Sequence, residues 1–420
     1  MSVSKKIILD CARDMRDEIE SAEVIARPFE WEDNGNYVFV GVRHVGKSYM
    51  MYQRVKELLT QGIGWDEILY VNFDDERLAE LTTEDLNLLI ETHLETWGKK
   101  PHVFLDEIQN VPHWDKFVRR LANEKYHICV TGSNARMLSK DVATTLGGRF
   151  FIVEVYPFSF HEYLRANQVE LTENWQHSTL ERANVSRLMN EYIKFGGLPE
   201  ITGFRNKRAT LSSLYQKIYL SDICTRNGIK NDRVLNIMIK KLAESVKQPI
   251  SFNRLRNIVV STGHQISLPS VIDYVGYAID SWLLIPIENE IAKLSDKESI
   301  KKYYFIDNGI LNLFLTDEET SLIENMVAVE LCRRYDKKNV TYLNDGGREI
   351  DFIVADRQLA IQASYSIKDA DTRNREIAPL LRFGASHPGW KLLVITHDES
   401  ELMEQNGLQI EVVPFWKWTF

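Results

Sequence analysis

The chain of 420 residues is longer than one hydrophobic core usually serves, so its length implies two or three domains. With 44% hydrophobic and 26% charged residues the composition is globular, which excludes a wholly disordered or fibrous chain. The net charge of −9 excludes a basic nucleic-acid coat and leaves room only for local basic patches. No apolar run reaches the roughly eighteen residues a membrane-spanning helix needs, so no membrane partner is expected. The opening residues are charged almost at once, unlike a secretory signal. Cys11, Cys129, Cys224 and Cys332 lie far apart without a CxxC pair, which predicts neither a zinc knuckle nor a disulfide framework and suits the cytoplasm.

Residues 1–25 read as an N-terminal helical segment. From 26 to 165, short β-rich apolar runs alternate with helical patterns, the signature of an α/β domain with a parallel sheet. The strands are expected at Tyr37–Gly41, Ile68–Phe73, His102–Glu107, His127–Gly132 and Phe151–Tyr156. Each is nearly continuous in apolar residues, as strands covered on both faces are. Between the first strand and the next helix stands GVRHVGKS, Gly41 to Ser48, which fits G-x-x-x-x-G-K-[ST]. Glycines let backbone N–H groups turn inward around a phosphate, and the helix N-terminus adds partial positive charge. Candidate nucleotide-binding residues are therefore Gly41, Val42, Arg43, His44, Val45, Gly46, Lys47, Ser48 and Tyr49. Lys47 is expected on the β- and γ-phosphates of ATP and the Ser48 hydroxyl on Mg2+.

HVFLDEIQ sets Asp106 at the end of an apolar strand, where it would hold the magnesium. Glu107, next in sequence, would polarise the attacking water, an arrangement for hydrolysis rather than mere binding. The following strand ends in Gly132-Ser133-Asn134, so Asn134 or Ser133 is the candidate sensor of the γ-phosphate. Arg149, in LGGRF before the fifth strand, is a candidate catalytic arginine, acting in cis or from a second copy in a homo-oligomer.

Residues 166–295 turn helical. Arg226 to Arg256 carry eight basic residues against Asp232 and Glu244, a local net charge of +6 that would suit a phosphate backbone. Ile250 to Ile287 reads as helix, turn, helix, with helix starts at Ser251 and at Ser267 or Pro269. The second helix, LPSVIDYVGYAIDSW, has no Lys or Arg and carries Asp273 and Asp280, poor equipment for base reading. Residues 296–420 return to α/β. Strands are expected in KYYFID, NVTYLN, EIDFIVA, QLAIQAS and KLLVITH around one helix at Leu322 to Tyr335. This pattern is similar to a PD-(D/E)xK nuclease core, with Asp351 at the first position and Glu324 or Glu330 as the helix carboxylate. Gln362 and Ser364 stand where such a core has a carboxylate and a lysine, and Lys368 lies four residues further on. No nuclease activity is expected from that set.

GVRHVGKS, YVNFDDERL, HVFLDEIQNVPHWDKFVRRL, VTGSNARMLSKDVATTLGGRF and VYPFSFHEYL occur in order, followed by YIKFGGLPEI, SDICTRNGIKN, YYFIDNGILNLF and REIDFIV. Together they resemble the bacterial and archaeal AAA-type ATPases that carry a C-terminal domain of unknown function. His44 departs from the second arginine usual in that loop, at a variable position. The resemblance implies a P-loop ATPase core, a helical lid with a winged-helix-like domain, and a nuclease-like C-terminal domain. It implies Mg-ATP hydrolysis driving a conformational switch that engages non-specific nucleic acid or a protein partner. An ATP-gated metal-dependent nuclease and a protein-interaction switch without nucleic acid are the alternatives.

Overall fold

In the computed structural model, which describes residues 3–133, 146–173, 175–316, 319–346 and 348–419, the chain divides by its contacts into two units. These are Met1–Val155 and Tyr156–Phe420. In the first unit the apolar runs become β1 (Asn36–Val40), β2 (Ile68–Asn72), β3 (His102–Asp106), β4 (Ile128–Gly132) and β5 (Phe150–Glu154). All pair in parallel, in the order β2-β3-β4-β1-β5. Every residue of β1 and β4 is buried, which explains why these runs show no alternation. Helices α1 (Lys5–Ser21), α2 (Lys47–Thr60), α3 (Leu86–Trp97) and α4 (Trp114–Asn123) accompany the sheet. The first of them buries Ile8, Cys11, Met15 and Ile19, spaced three or four apart, and packs on β2 and α3.

Parallel pairing has one consequence for function: the carboxyl ends of β1, β3 and β4 open on the same edge, with β4 between the other two. At the opposite edge, the Asn36 amide donates to the Arg149 carbonyl (3.2 Å) and its oxygen accepts from the Ile128 N–H (2.9 Å). One side chain thus fixes both neighbours of β1.

The second unit begins with helices Phe160–Ala166, Thr179–Phe195, Lys207–Lys217 and Asp232–Glu244. Then come β6 (Ile250–Ser251), helices Phe252–Ser261 and Leu268–Asp280, β7 (Leu284–Ile287) and β8 (Ile300–Phe305). Ser251 and Ser267 cap those two helices, accepting from the Arg254 and Ser270 N–H groups at 3.1 Å each. The three strands form an antiparallel sheet in the order β6-β8-β7. KYYFID, expected among the C-terminal strands, is therefore β8 and pairs with the middle of the chain. Its apolar Tyr304 and Phe305 sit opposite Ile285 and Leu284, a pairing that the run's own pattern does not announce.

The last sheet has six strands, β9 (Val340–Asp345), β10 (Arg348–Val354), β11 (Leu359–Ala363), β12 (Lys391–Thr396), β13 (Glu401–Gln405) and β14 (Leu408–Pro414). Their order is β13-β14-β12-β11-β10-β9. Ile350, Ala360, Leu380, Leu392, Val394, Ile410 and Val412 make its core, with helix Ala370–Ser386 supplying Leu380. Among the described residues no helix is long and apolar enough to cross a membrane.

Two sequence blocks meet inside this unit. The buried Asp307 carboxylate accepts from the N–H groups of Gly197 (2.8 Å), Gly309 (2.8 Å) and Ile310 (3.2 Å). Burial nevertheless pushes its carboxyl up to about 6, against the pull of those bonds. Gly196 lies beside it at φ +74°, and a Cβ there would overlap the carboxylate. Gly196→Ala should therefore cost about 2 kcal/mol or more, combining backbone strain with a displaced buried acid. Denaturant unfolding of the full chain checks this, and an unchanged midpoint would contradict it.

Candidate functional site

The loop Gly41–Ser48 leaves β1 and enters α2 at the shared carboxyl edge. Two glycines make the path possible. Gly41 has φ +151° and would drive a Cβ into the Val155 carbonyl, and Gly46 has φ +93° where it caps α2. Lys47 is buried, and its ammonium donates to the carbonyls of Gly41 (3.2 Å) and Val42 (3.1 Å), so it lies along the loop's concave side. Arg27 donates to the Val45 carbonyl at 2.9 Å and braces the loop from outside. Arg43 is half-buried, while His44, at φ +61°, and Tyr49 are exposed.

Asp106, 2% exposed, ends β3 two strands away. Three hydroxyls hold it: Tyr70 of β2 donates to Oδ2 at 2.9 Å, Thr131 of β4 donates to Oδ1, and Ser48 bonds it from the loop. Burial pushes this carboxyl above its ordinary value; the Thr131, Ser48 and Tyr70 bonds oppose that, and the neighbouring charge of Glu107 adds to it. A hard divalent ion with oxygen ligands fits the donor set of Ser48 and Asp106. Glu107 follows at φ +51°, a left-handed turn that points its side chain away from its neighbour's direction. Its N–H donates to Thr131 Oγ1 at 2.9 Å, and its carboxylate accepts from the Gln109 amide. Thr131 therefore links both acids.

The structure places the loop carrying Lys47 and Ser48 and the strand end carrying Asp106 and Glu107 on one edge of the sheet. It adds Tyr70, Thr131 and Gln109, which sequence reasoning missed. A hydroxyl inside HICVTG was a visible signal for Thr131, whereas Tyr70 reads as an ordinary apolar strand residue. Ser133 is 1% exposed, with its Oγ unbonded among the described residues. Asn134 lies outside the described residues. Arg149 does not join the group: it precedes Phe150, which pairs with Asn36 at the amino end of β1. Five strand steps, about 16 Å, separate that end from Gly41.

A second cluster lies in the C-terminal unit. Lys302 of β8 is wholly buried, with Nζ 3.0 Å from Glu324 Oε1, 2.7 Å from Glu349 Oε1 and 3.4 Å from Asp351 Oδ1. The Glu349 contact is a charge contact rather than an aligned hydrogen bond. Glu324 also accepts from the Tyr304 hydroxyl at 2.7 Å, and Asp351 Oδ2 accepts from the Ala363 N–H at 2.9 Å. Burial, then the Asp351 charge, raise the Glu324 carboxyl to about 7, with Lys302 opposing. Lys302 itself is held well above its ordinary value: burial works against its charge, and the carboxylates outweigh burial. Of the two carboxylates expected on the helix, Glu324 lies in this cluster, whereas Glu330 is engaged by Arg333 and Arg334. The Gln362 oxygen accepts from the Asp351 N–H (2.8 Å), and its amide donates to Glu376 (3.2 Å). Ser364 donates to the Ser366 carbonyl (3.1 Å), and Lys368 turns to Asp398 on the surface (3.6 Å).

Residues 33–164 match the family described as AAA domain, and residues 186–321 match a domain of unknown function. An uncharacterized protein of Methanocaldococcus jannaschii is 31% identical over 99% of this chain and 96% of its own. An uncharacterized protein of Haemophilus influenzae is 31% identical over 90% of this chain and 93% of its own. Among solved structures, the Walker-type ATPase of Pyrococcus abyssi is similar at 12% identity and a TM-score of 0.38, covering 73% of this chain and 94% of that one.

Thr131→Val removes the hydroxyl that links Asp106 to Glu107 while keeping the side chain's shape. ATP turnover should fall about 10- to 100-fold, the worth of a hydrogen bond to a charged group, with ATP affinity nearly unchanged. Tyr70→Phe should cost less, since Ser48 and Thr131 remain. Turnover and calorimetric affinity measured side by side check both.

Proposed function

The chain belongs to the AAA-domain family of P-loop ATPases, and on that premise we propose that it hydrolyses Mg-ATP as a conformational switch engaging nucleic acid without base specificity. One observation carries the reading: loop, Lys47, Ser48, Asp106 and Glu107 converge on a single sheet edge. The loop N–H groups and Lys47 would bind the phosphates, and Ser48 and Asp106 would hold magnesium, which draws charge from the phosphate oxygens. Glu107 would take the proton of the attacking water, and Thr131 keeps Glu107 and Asp106 in fixed relation. Ser133 and Asn134 are the proposed γ-phosphate sensors. Arg149, at the far end of the sheet, fits a role only toward a nucleotide on a second copy, which favours a homo-oligomer as the active form.

The order β6, two helices and the β7–β8 hairpin supports a winged-helix-like module. Helix Glu319–Arg334, three antiparallel strands, helix Ala370–Ser386 and the parallel strand β12 support a nuclease-like C-terminal fold. Of the eight basic residues between Arg226 and Arg256, Arg226 pairs with Asp222 and Lys241 with Glu244. Lys247 bonds Thr320, and Arg256 bonds the Ile266 carbonyl. Lys230, Arg233, Lys240 and Arg254 are exposed and available to phosphates. Helix Leu268–Asp280 buries Val271, Val275 and Ala278 and exposes Ile272 and Asp273, a packing helix rather than a base reader. The buried thiols of Cys11, Cys129 and Cys224 suit a reducing cytoplasm.

Lys47→Ala should abolish tight ATP binding in a calorimetric titration, whereas Glu107→Gln should bind ATP and turn over about 10²- to 10⁴-fold more slowly. Wild-type turnover in Glu107→Gln would remove the hydrolytic reading. For nucleic acid, four available cations imply a slope of log affinity against log salt of about −3 to −4 on duplex DNA. Neutralising Lys240 and Arg254 together should flatten it by about two. A salt-independent or absent association would replace nucleic acid with a protein partner.

A further inference from the structure

Lys302 sits where three carboxylates converge, and that is where a divalent cation would sit in a metal-dependent site of this fold. An ammonium has three N–H donors, and here three carboxylate oxygens, from Glu324, Glu349 and Asp351, lie 2.7 to 3.4 Å away. Those are separations for an ammonium; magnesium needs about six oxygens at about 2.1 Å. Lys302 is 0% exposed, and the Tyr342 ring lies 5.6 Å from its Nζ, so it does not share the place with a second cation. The remaining groups are committed elsewhere. Gln362 is used at both ends of its amide, and Ser364 and Lys368 bond other partners. The residues present therefore do not fit a metal.

We propose that Lys302 is a resident cation that has taken the metal's place, so that this carboxylate site binds no metal and serves as a lock. This rests on the nuclease-like reading only for the comparison of positions, not for the contacts. What the lock joins follows from topology. Lys302 lies on β8, which among the described residues pairs with β6 and β7, whereas Glu324 lies on helix Glu319–Arg334 and Glu349 and Asp351 on β10 of the six-stranded sheet. The ion cluster binds the three-stranded module to the C-terminal sheet. Asn325, one residue along the helix, adds a second pin, bonding the Phe305 N–H (2.7 Å) and carbonyl (2.9 Å) at the end of β8. The two modules consequently move as one body.

The test uses the full chain with Mn2+ as probe, read by electron paramagnetic resonance and by Tm. In the wild type, Asp351→Asn should leave the number of bound Mn2+ ions unchanged, because the cluster holds none. Lys302→Met should lower Tm by several degrees, gain one Mn2+ ion, and recover most of the lost Tm at saturating Mn2+. Adding Asp351→Asn should remove that gain. Should Lys302→Met fail to fold, Lys302→Met/Glu324→Gln keeps the net charge and two carboxylates and should show the same Mn2+-dependent Tm. A wild-type Mn2+ ion lost in Asp351→Asn would overturn the proposal. So would folded Lys302→Met, or the double variant, remaining indifferent to Mn2+. Since the readout is metal occupancy, either result leaves the ATPase reading where it stands.

Discussion

A carboxylate sealed inside a sheet edge is the constraint around which the first unit is organised. Asp106 is buried where ionisation is costly, and three hydroxyls from three separate elements make that burial tolerable. Each hydroxyl arrives by a different route: Ser48 at the start of α2, Tyr70 inside β2, Thr131 inside β4. Their meeting requires the strand order β2-β3-β4-β1, since any other order would move one of them out of reach. Fold and site are thus one problem: the parallel sheet brings the hydroxyls together, and the hydroxyls make a buried acid tolerable.

The second unit solves a similar electrostatic problem in the opposite sense. Around Lys302 the acids already have their cation, supplied by the chain itself. Buried ion pairs contribute little net stability compared with apolar packing, and their value lies in the specificity of what they join. Here they select the seat of β8, a strand otherwise free to pair by its apolar face alone. Carboxylates at strand ends thus meet hydroxyls in one unit and an ammonium in the other.

The candidate site was legible because its pattern is local. Eight consecutive residues form the loop, and an apolar run ending in two acids is visible in six more. Four of the five parallel strands, β1 to β4, were legible for a related reason, since burial on both faces leaves continuous apolar runs; β5 shows such a run although Phe151 and Ile152 are exposed. What escaped was set by distance along the chain. Tyr70 and Thr131 become partners of Asp106 only across the sheet; the Thr131 hydroxyl stands out in its apolar strand, but nothing within its own strand marks Tyr70. Lys302 reads as one charge in KKYYFID, and its partners lie 22, 47 and 49 positions away. Glu324 and Glu330 were equivalent on paper, separated only when Arg333 and Arg334 claimed the second. The β13–β14 hairpin escaped because ELMEQ is polar and mostly exposed, without the apolar pattern that identifies a strand.

Asn36 holds β4 and β5 in register at the end of the sheet remote from the loop, and Arg149 inherits its position from that clamp. The clamp ties the backbone at Arg149 to the sheet through its carbonyl. If Arg149 acts as proposed, on a nucleotide held by a second copy, turnover would be an encounter between molecules, and its rate in dilute solution would grow with the square of the protein concentration.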